Sequence, residues 1–297
     1  MPWTRLLESA ERQPAARLED WYASLLAACP EAAPFELAVR GGCRAATPGL
    51  AFLAGYQAAL RMLWPSAPLS LGALCVTEQR SVRPADLQCR VADLQVSGRK
   101  DFVTAAEAAD WLLVAAREEV AGEKPQVALL VVRNGDPGVQ VEALPPLKLM
   151  PDIGHARLLL SEASCERLAG DGWSDYVKPF RTLEDVHVLA AFTAWLYGVG
   201  RDSGWSLSLR LRLLAVLAGA AEVARQPAGS AAAHLLLAGL FEQWQQLSGD
   251  LDQAFAAGPA EWRELWQRDR GLLGVAGAAR AKRLSNALAT LAVDAGQ

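Results

Sequence analysis

LCVTEQRSVRPADLQCRVADLQVSGRKDFVTAAEAADWLLVAAR, residues Leu74–Arg117, is where the chain turns from helical to strand-like patterning. It opens on an apolar run, Leu74-Cys75-Val76, that ends in Thr77-Glu78. Alternating segments follow, then Gly98-Arg99-Lys100, which reads as a turn, then Phe102-Val103-Thr104 and a small-residue patch with Asp110. Trp111-Leu112-Leu113-Val114-Ala115 reads as a buried strand. Strand, turn and strand at this spacing predict antiparallel β structure.

The same character extends to about Cys165. Val127–Val132 is a strand pattern, Asn134-Gly135 and Asp136-Pro137-Gly138 are turn signals, Val139 and Val141 alternate with polar residues, and Ala156–Leu160 is a last strand. Short strands with turns between them predict a sandwich or small barrel. Helical periodicity lies on both sides. Residues 1–28 carry apolar positions at three- and four-residue spacing, and Pro30 and Pro34 break the chain. Pro48 opens a helix through Arg61. Gly55 in its middle costs about 1 kcal/mol relative to Ala, which predicts a close neighbour. Beyond a hinge at Ala169–Trp173, Thr182 and Asp185 resemble a capping box. They precede an apolar stripe of Val186, Leu189, Ala190, Thr193, Ala194 and Tyr197. Further helices are expected at 206–225, 230–247, 260–272 and 274–293, an antiparallel bundle with short loops. The fold class is therefore α+β: a short helical part (1–70), a β-domain (71–165) and a C-terminal helical bundle (166–297).

Composition narrows the function classes. The 297 residues are 52% hydrophobic and 21% charged with a formal charge of -4, which marks a soluble globular chain with no basic footprint for nucleic acid. Five scattered cysteines, none in a C-x-x-C pair, read as reduced thiols of a cytoplasmic protein. His155, His187 and His234 have no zinc-ligand spacing, so no metal is expected. The N-terminus carries charges where a signal peptide needs an apolar core. The apolar run Leu213–Ala221 is about half the length of a membrane span. Export and membrane insertion are both disfavoured. Ten tryptophans predict that some lie at subunit interfaces.

Val76-Thr77-Glu78, Gly98, Lys100, Phe102-Val103-Thr104, Ala109-Asp110, and Val114 with Ala116-Arg117 together resemble the central β-domain of acyl-CoA dehydrogenases. In that family this domain holds the isoalloxazine ring of FAD. The resemblance places hydroxyl contacts to the flavin at Thr77 and Thr104 and an aromatic contact at Phe102. It implies an N-terminal helical part, here reduced, a C-terminal bundle and a homodimer. The chain departs from the pattern where the family continues with a Gly-rich turn that holds the FAD pyrophosphate. Here the sequence reads Gln79-Arg80-Ser81-Val82-Arg83. A Gly-poor loop brings its amides less close to phosphate, and Arg83, with Arg80, supplies guanidinium charge instead.

The resemblance also implies a carboxylate base for the α-proton of an acyl-CoA thioester. The late Y-E-G base of most members is missing. Some members carry the base on the first bundle helix, near Glu184 here. The local pattern gives Glu184 a second role, as an acidic residue in a first helical turn. The family's Q-x-F-G segment is also missing, with Arg201 at the corresponding place. Two function classes follow: an FAD-dependent acyl-CoA dehydrogenase, and a catalytically inactive scaffold of the same fold that binds or assembles with a partner.

Overall fold

The structure is a computed structural model that describes Leu7, residues 11–119 and residues 125–291. Its elements in chain order are α1 (Leu18–Ala28), α2 (Pro34–Arg44), α3 (Pro48–Leu63), β1 (Gly72–Cys75), β2 (Arg90–Ala92), β3 (Gln95–Thr104), β4 (Trp111–Glu118) and β5 (Gln126–Arg133). They continue with β6 (Val139–Ala143), β7 (His155–Ser164), β8 (Glu166–Arg167), α4 (Lys178–Asp202), α5 (Leu207–Val223), α6 (Ala231–Ala257), α7 (Ala260–Asp269) and α8 (Gly277–Leu291). The chain divides into two compact units: one of Ala16–Ser24 and Leu63–Arg181, holding the strands, and one of Met1–Ala15, Leu25–Met62 and Thr182–Gln297, which is helical.

The β unit is one curled sheet in the order β6-β7-β3-β2-β4-β5-β8, with β1 also paired to β4. The pairing is mixed. β2–β3, β3–β7, β4–β5 and β6–β7 are antiparallel, but β1 and β2 both run parallel to β4. The expectation of a purely antiparallel arrangement is corrected there. The turn expected at Gly98–Lys100 is corrected as well. Those residues lie inside β3, and the chain reverses at Asp93-Leu94, where both residues have positive φ (49° and 57°), the twist a two-residue hairpin needs. Gly98 has another task. A Cβ there would lie 2.6 Å from Cys89 Cα, and its φ is 141°. Inward side chains of the strands (Val96, Leu112, Val114, Leu130, Val132, Leu158) and Ala73 build the core. Gly172, after the last strand, has no room for a Cβ, which would meet the Ala128 carbonyl carbon at 2.7 Å.

In the helical unit, α3 occupies the expected span. Gly55 packs as predicted: its missing Cβ would lie 2.6 Å from Val188 Cα and 2.7 Å from the His187 carbonyl oxygen on α4. Helix α2 was not expected, since Pro30 and Pro34 read as breaks. Pro34 stands in its first turn, where proline is tolerated. Gly42 lets the backbone approach the Ala191 carbonyl, to which a Cβ would come within 2.0 Å. Of the helix expected over 1–28, the described residues form α1 from Leu18. Residues 11–17 form no helix, and Gln13 bridges Ala45, in line with the extended bias before Pro14. The other residues of that expectation, 1–6 and 8–10, lie outside the described residues, as do 120–124 of the expected loop and 292–293 of the last helix.

The capping box expected at Thr182 and Asp185 is not one. A π-helical turn, Gly172–Val177, runs into α4 at Lys178, and the helical run is capped at Asp171, whose carboxylate accepts the Ser174 N–H at 2.7 Å. Asp185 lies well inside the helix and is buried. It accepts from Arg280 Nη1 at 2.8 Å and from Arg283 on α8. Burial pushes its carboxyl pKa up, against the pull of the two guanidinium groups. The tryptophans expected at interfaces largely fill cores instead: Trp195, Trp205, Trp244 and Trp266 are buried in the helical unit and Trp111 in the β unit. Phe255 links several of them, with centroids 4.9 Å from Trp205 and 4.9 Å from Trp266.

His187 on α4 gives the helical unit an acid limit. Its Nδ1 donates to the Leu183 carbonyl at 2.7 Å, and its ring meets Phe35 edge-on. Burial pulls its pKa from 6.5 down to about 4. The unfolded chain takes up the proton near 6.5, while the folded chain refuses it until about 4. The stability carried by the neutral ring is whole above that upper value and is lost as pH falls toward the lower one, at most about 3 kcal/mol. Urea unfolding as a function of pH should show this slope, and His187→Leu should flatten it.

Candidate functional site

The stretch that decides the fold splits into buried and less buried residues. Glu78 and Lys100 point inward. Lys100 is wholly buried and its Nζ donates to Glu78 Oε1 at 2.5 Å and to the Ala115 carbonyl at 2.5 Å, with Val76 O at 3.5 Å. The Glu78 carboxylate also accepts the backbone N–H of Gln88 at 2.5 Å and of Cys89 at 3.2 Å. One buried ion pair thus ties the end of β1, the start of β2, β3 and β4 together. Its charges are acceptable in a core because each has a partner and nearly every remaining donor and acceptor is used.

Thr77, Phe102 and Thr104 are the less buried residues. Asp101 N–H donates to the Thr77 carbonyl at 2.9 Å, which sets Thr77 beside the part of β3 that carries the other two. A register shift between Lys100 and Val103 in the β3–β7 pairing turns Phe102 outward, 39% exposed, while Val103 stays in the core. A bulge of this kind re-aims a side chain. Thr77 and Thr104 are half-buried. Across the ladder Thr104 pairs with His155 of β7. The His155 ring stacks on Phe102 with centroids 4.5 Å apart and planes at 27°. His155 is itself only 4% exposed, and burial lowers its pKa. The structure therefore brings three expected residues together and adds His155, to which the resemblance assigned no part.

Arg83 lies in the loop that follows Thr77-Glu78. Glu78 and Ser81 exchange backbone hydrogen bonds (2.9 and 2.7 Å) across a two-residue turn of Gln79 and Arg80, both at positive φ (47° and 64°). Asp101 Oδ2 accepts the Gln79 N–H at 2.6 Å. Arg83 follows, exposed, before a single 3-10 turn at Pro84–Asp86, and its N–H donates to Ser81 Oγ at 3.2 Å. The loop is short, closed and basic, where a Gly-rich loop would be open and rich in amides.

Glu184 lies on α4 in the helical unit, half-buried. Because the helical run starts at Gly172, Glu184 is in a later turn than expected, beyond the reach of the helix N-terminal field. Its reading as a first-turn residue is corrected. Cysteine chemistry finds no support at the described thiols. Cys43, Cys75 and Cys89 are buried, and burial pushes Cys43 up to about 12, Cys89 up to about 11 and Cys75 higher still, so they hold their protons and are poor nucleophiles. Among the described residues no cluster of His, Cys, Asp and Glu could hold a metal ion, and no helix is long and apolar enough to cross a membrane.

Thr104 and the exposed Phe102 ring share β3, and half-buried Thr77 lies beside that strand through its carbonyl's bond to Asp101 N–H. The curled mixed sheet and the helical region that follows it give the chain the acyl-CoA dehydrogenase fold. No family model and no curated protein matches the sequence. Among solved structures it is similar to the apo form of PigA (TM-score 0.68, 15% identity, covering 98% of this chain and 96% of that one). It is also similar to FkbI, for biosynthesis of the methoxymalonyl extender unit of the Fk520 polyketide (0.63, 19%, 97% and 98%). A third likeness is to butyryl-CoA dehydrogenase from Megasphaera elsdenii (0.62, 13%, 86% and 81%). At these identities the likeness establishes the fold.

Proposed function

We propose that the chain is an FAD-dependent dehydrogenase of the acyl-CoA dehydrogenase kind, acting on an acyl-CoA thioester. What supports this reading is that Thr77 hydrogen-bonds through its carbonyl to Asp101, on the strand that carries the exposed Phe102 and half-buried Thr104. Thr77 and Thr104 would hydrogen-bond the flavin edge, Phe102 would pack on its ring, and Arg83, with Arg80, would face the pyrophosphate. FAD, when bound, supplies the hydride acceptor. Glu184 is the proposed base, taking the α-proton of the thioester. The reading keeps three parts, a reduced N-terminal helical domain (1–70), a flavin-side β-domain (71–165) and a bundle (166–297), in a cytoplasmic homo-oligomer. The likeness to a butyryl-CoA dehydrogenase supports the substrate class.

A second reading, an inactive scaffold that serves as a binding or assembly partner, is favoured by one observation: the tight Gln79-Arg80 turn where the family carries a Gly-rich one. The visible spectrum separates the two. The purified protein, incubated with excess FAD and freed of the unbound fraction, is expected to keep flavin absorption, and Phe102→Leu should keep less. A wild type that stays colourless overturns the dehydrogenase reading and leaves the scaffold.

A further inference from the structure

Beneath Phe102 the structure holds a second ring in place. His155 opens β7, and its backbone is fixed from several directions. Its carbonyl accepts the Leu144 N–H at 2.8 Å, its neighbour Gly154 accepts the Ala105 N–H at 2.8 Å, and it pairs with Thr104. Ala105, at φ 53°, bends the chain away as soon as β3 ends. The imidazole is almost wholly covered, with the Ile153 backbone as a hydrogen-bonding neighbour. Its exposed neighbour is Phe102, whose ring stacks on it with centroids 4.5 Å apart. From the core outward the order is His155, Phe102, open space.

We propose that His155 is a positioning residue for the ligand face: it holds the Phe102 ring as a flat shelf on which the planar ring of the ligand stacks. This rests on the reading of that face as the flavin face. An exposed phenylalanine without a ring beneath it has free rotamers to lose on binding. One already stacked has fewer, so the ligand meets a pre-set surface. An aromatic pair contributes enough to change affinity by about two- to tenfold. The neutral imidazole, its pKa lowered by burial, adds no charge to the shelf.

The test is a cycle of FAD affinities, read from quenching of flavin fluorescence, for wild type, Phe102→Leu, His155→Leu and the double variant. His155→Leu is expected to weaken binding about two- to tenfold when Phe102 is present and to change little when it is absent, and His155→Phe should restore binding. A purely structural role for His155 would weaken binding equally in both backgrounds, and that result, or no weakening at all, overturns the proposal while leaving the flavin face intact. A wild type that takes up no FAD overturns the flavin reading and this proposal with it. Should the leucine variant fail to fold, His155→Gln, which loses the ring and keeps polar capacity, completes the same cycle.

Discussion

Lys100→Ala is expected to destabilise the β unit by about 3–5 kcal/mol, the usual cost of leaving one member of a buried ion pair behind. The ammonium it removes is wholly buried and donates at 2.5 Å to both the Glu78 carboxylate and the Ala115 carbonyl. Without it, the 4% exposed Glu78 keeps its two backbone donors but has no counter-charge, and water cannot reach it. The double change Glu78→Leu with Lys100→Met removes both charges together. It should cost less than the single one, because apolar replacement of a whole buried pair is often close to neutral. What remains is the loss of partners for the Gln88 and Cys89 amides and the Ala115 carbonyl, about 1–3 kcal/mol for a buried group left unpaired. Urea unfolding of the two variants decides the matter. A double variant less stable than the single one would mean that the pair acts as a hydrogen-bonded brace and that its charge balance is secondary. Thr77 adjoins Glu78, and Phe102 follows Lys100 by two residues, so the single variant should also lose retained flavin.

Local patterns carried the architecture, and long-range contacts carried what they missed. The strand-like stretch, the helix from Pro48 and the later helices were legible because apolar periodicity is written within each segment. The parallel pairing of β1 and β2 with β4 was not, since it joins segments tens of residues apart and leaves no mark in any one of them. Gly98 read as a turn because glycine is the usual turn residue. The actual reversal uses Asp93 and Leu94, and Gly98 answers instead to the nearness of Cys89. Helix α2 was hidden because Pro30 and Pro34 read as breaks, whereas Pro34 sits in its first turn, where proline is tolerated. At the site, the resemblance reached Thr77, Phe102 and Thr104 but treated Glu78 and Lys100 as part of the same strip. Strict alternation along β3 would have put Phe102 and Thr104 on the same side as Lys100; the register shift between Lys100 and Val103 separates them, and nothing in the local pattern announces it. His155 had no local signal at all, since its role comes from the β3–β7 register.

Glu184→Gln tests the least local element of the proposal, and its expected effect is the largest on rate. Removing the α-proton of a thioester requires a group that can accept it, and an uncharged amide of the same shape cannot. Positioned proton transfer contributes about 10²–10⁴-fold, so the variant should take up FAD like the wild type while flavin bleaching by acyl-CoA thioesters under anaerobic conditions falls by about that factor. The neighbouring Asp185 is a poor substitute. It is buried and committed to Arg280 and Arg283 on α8, so its carboxylate is held by two guanidinium groups within the helical unit. Asp185→Asn therefore serves as the contrasting variant, expected to lower stability with little direct effect on the bleaching rate of the folded fraction. The helix geometry sharpens the contrast. With the helical run capped at Asp171, Glu184 is too far along it to stabilise the first turn. Bleaching at the wild-type rate in Glu184→Gln would remove Glu184 as the base.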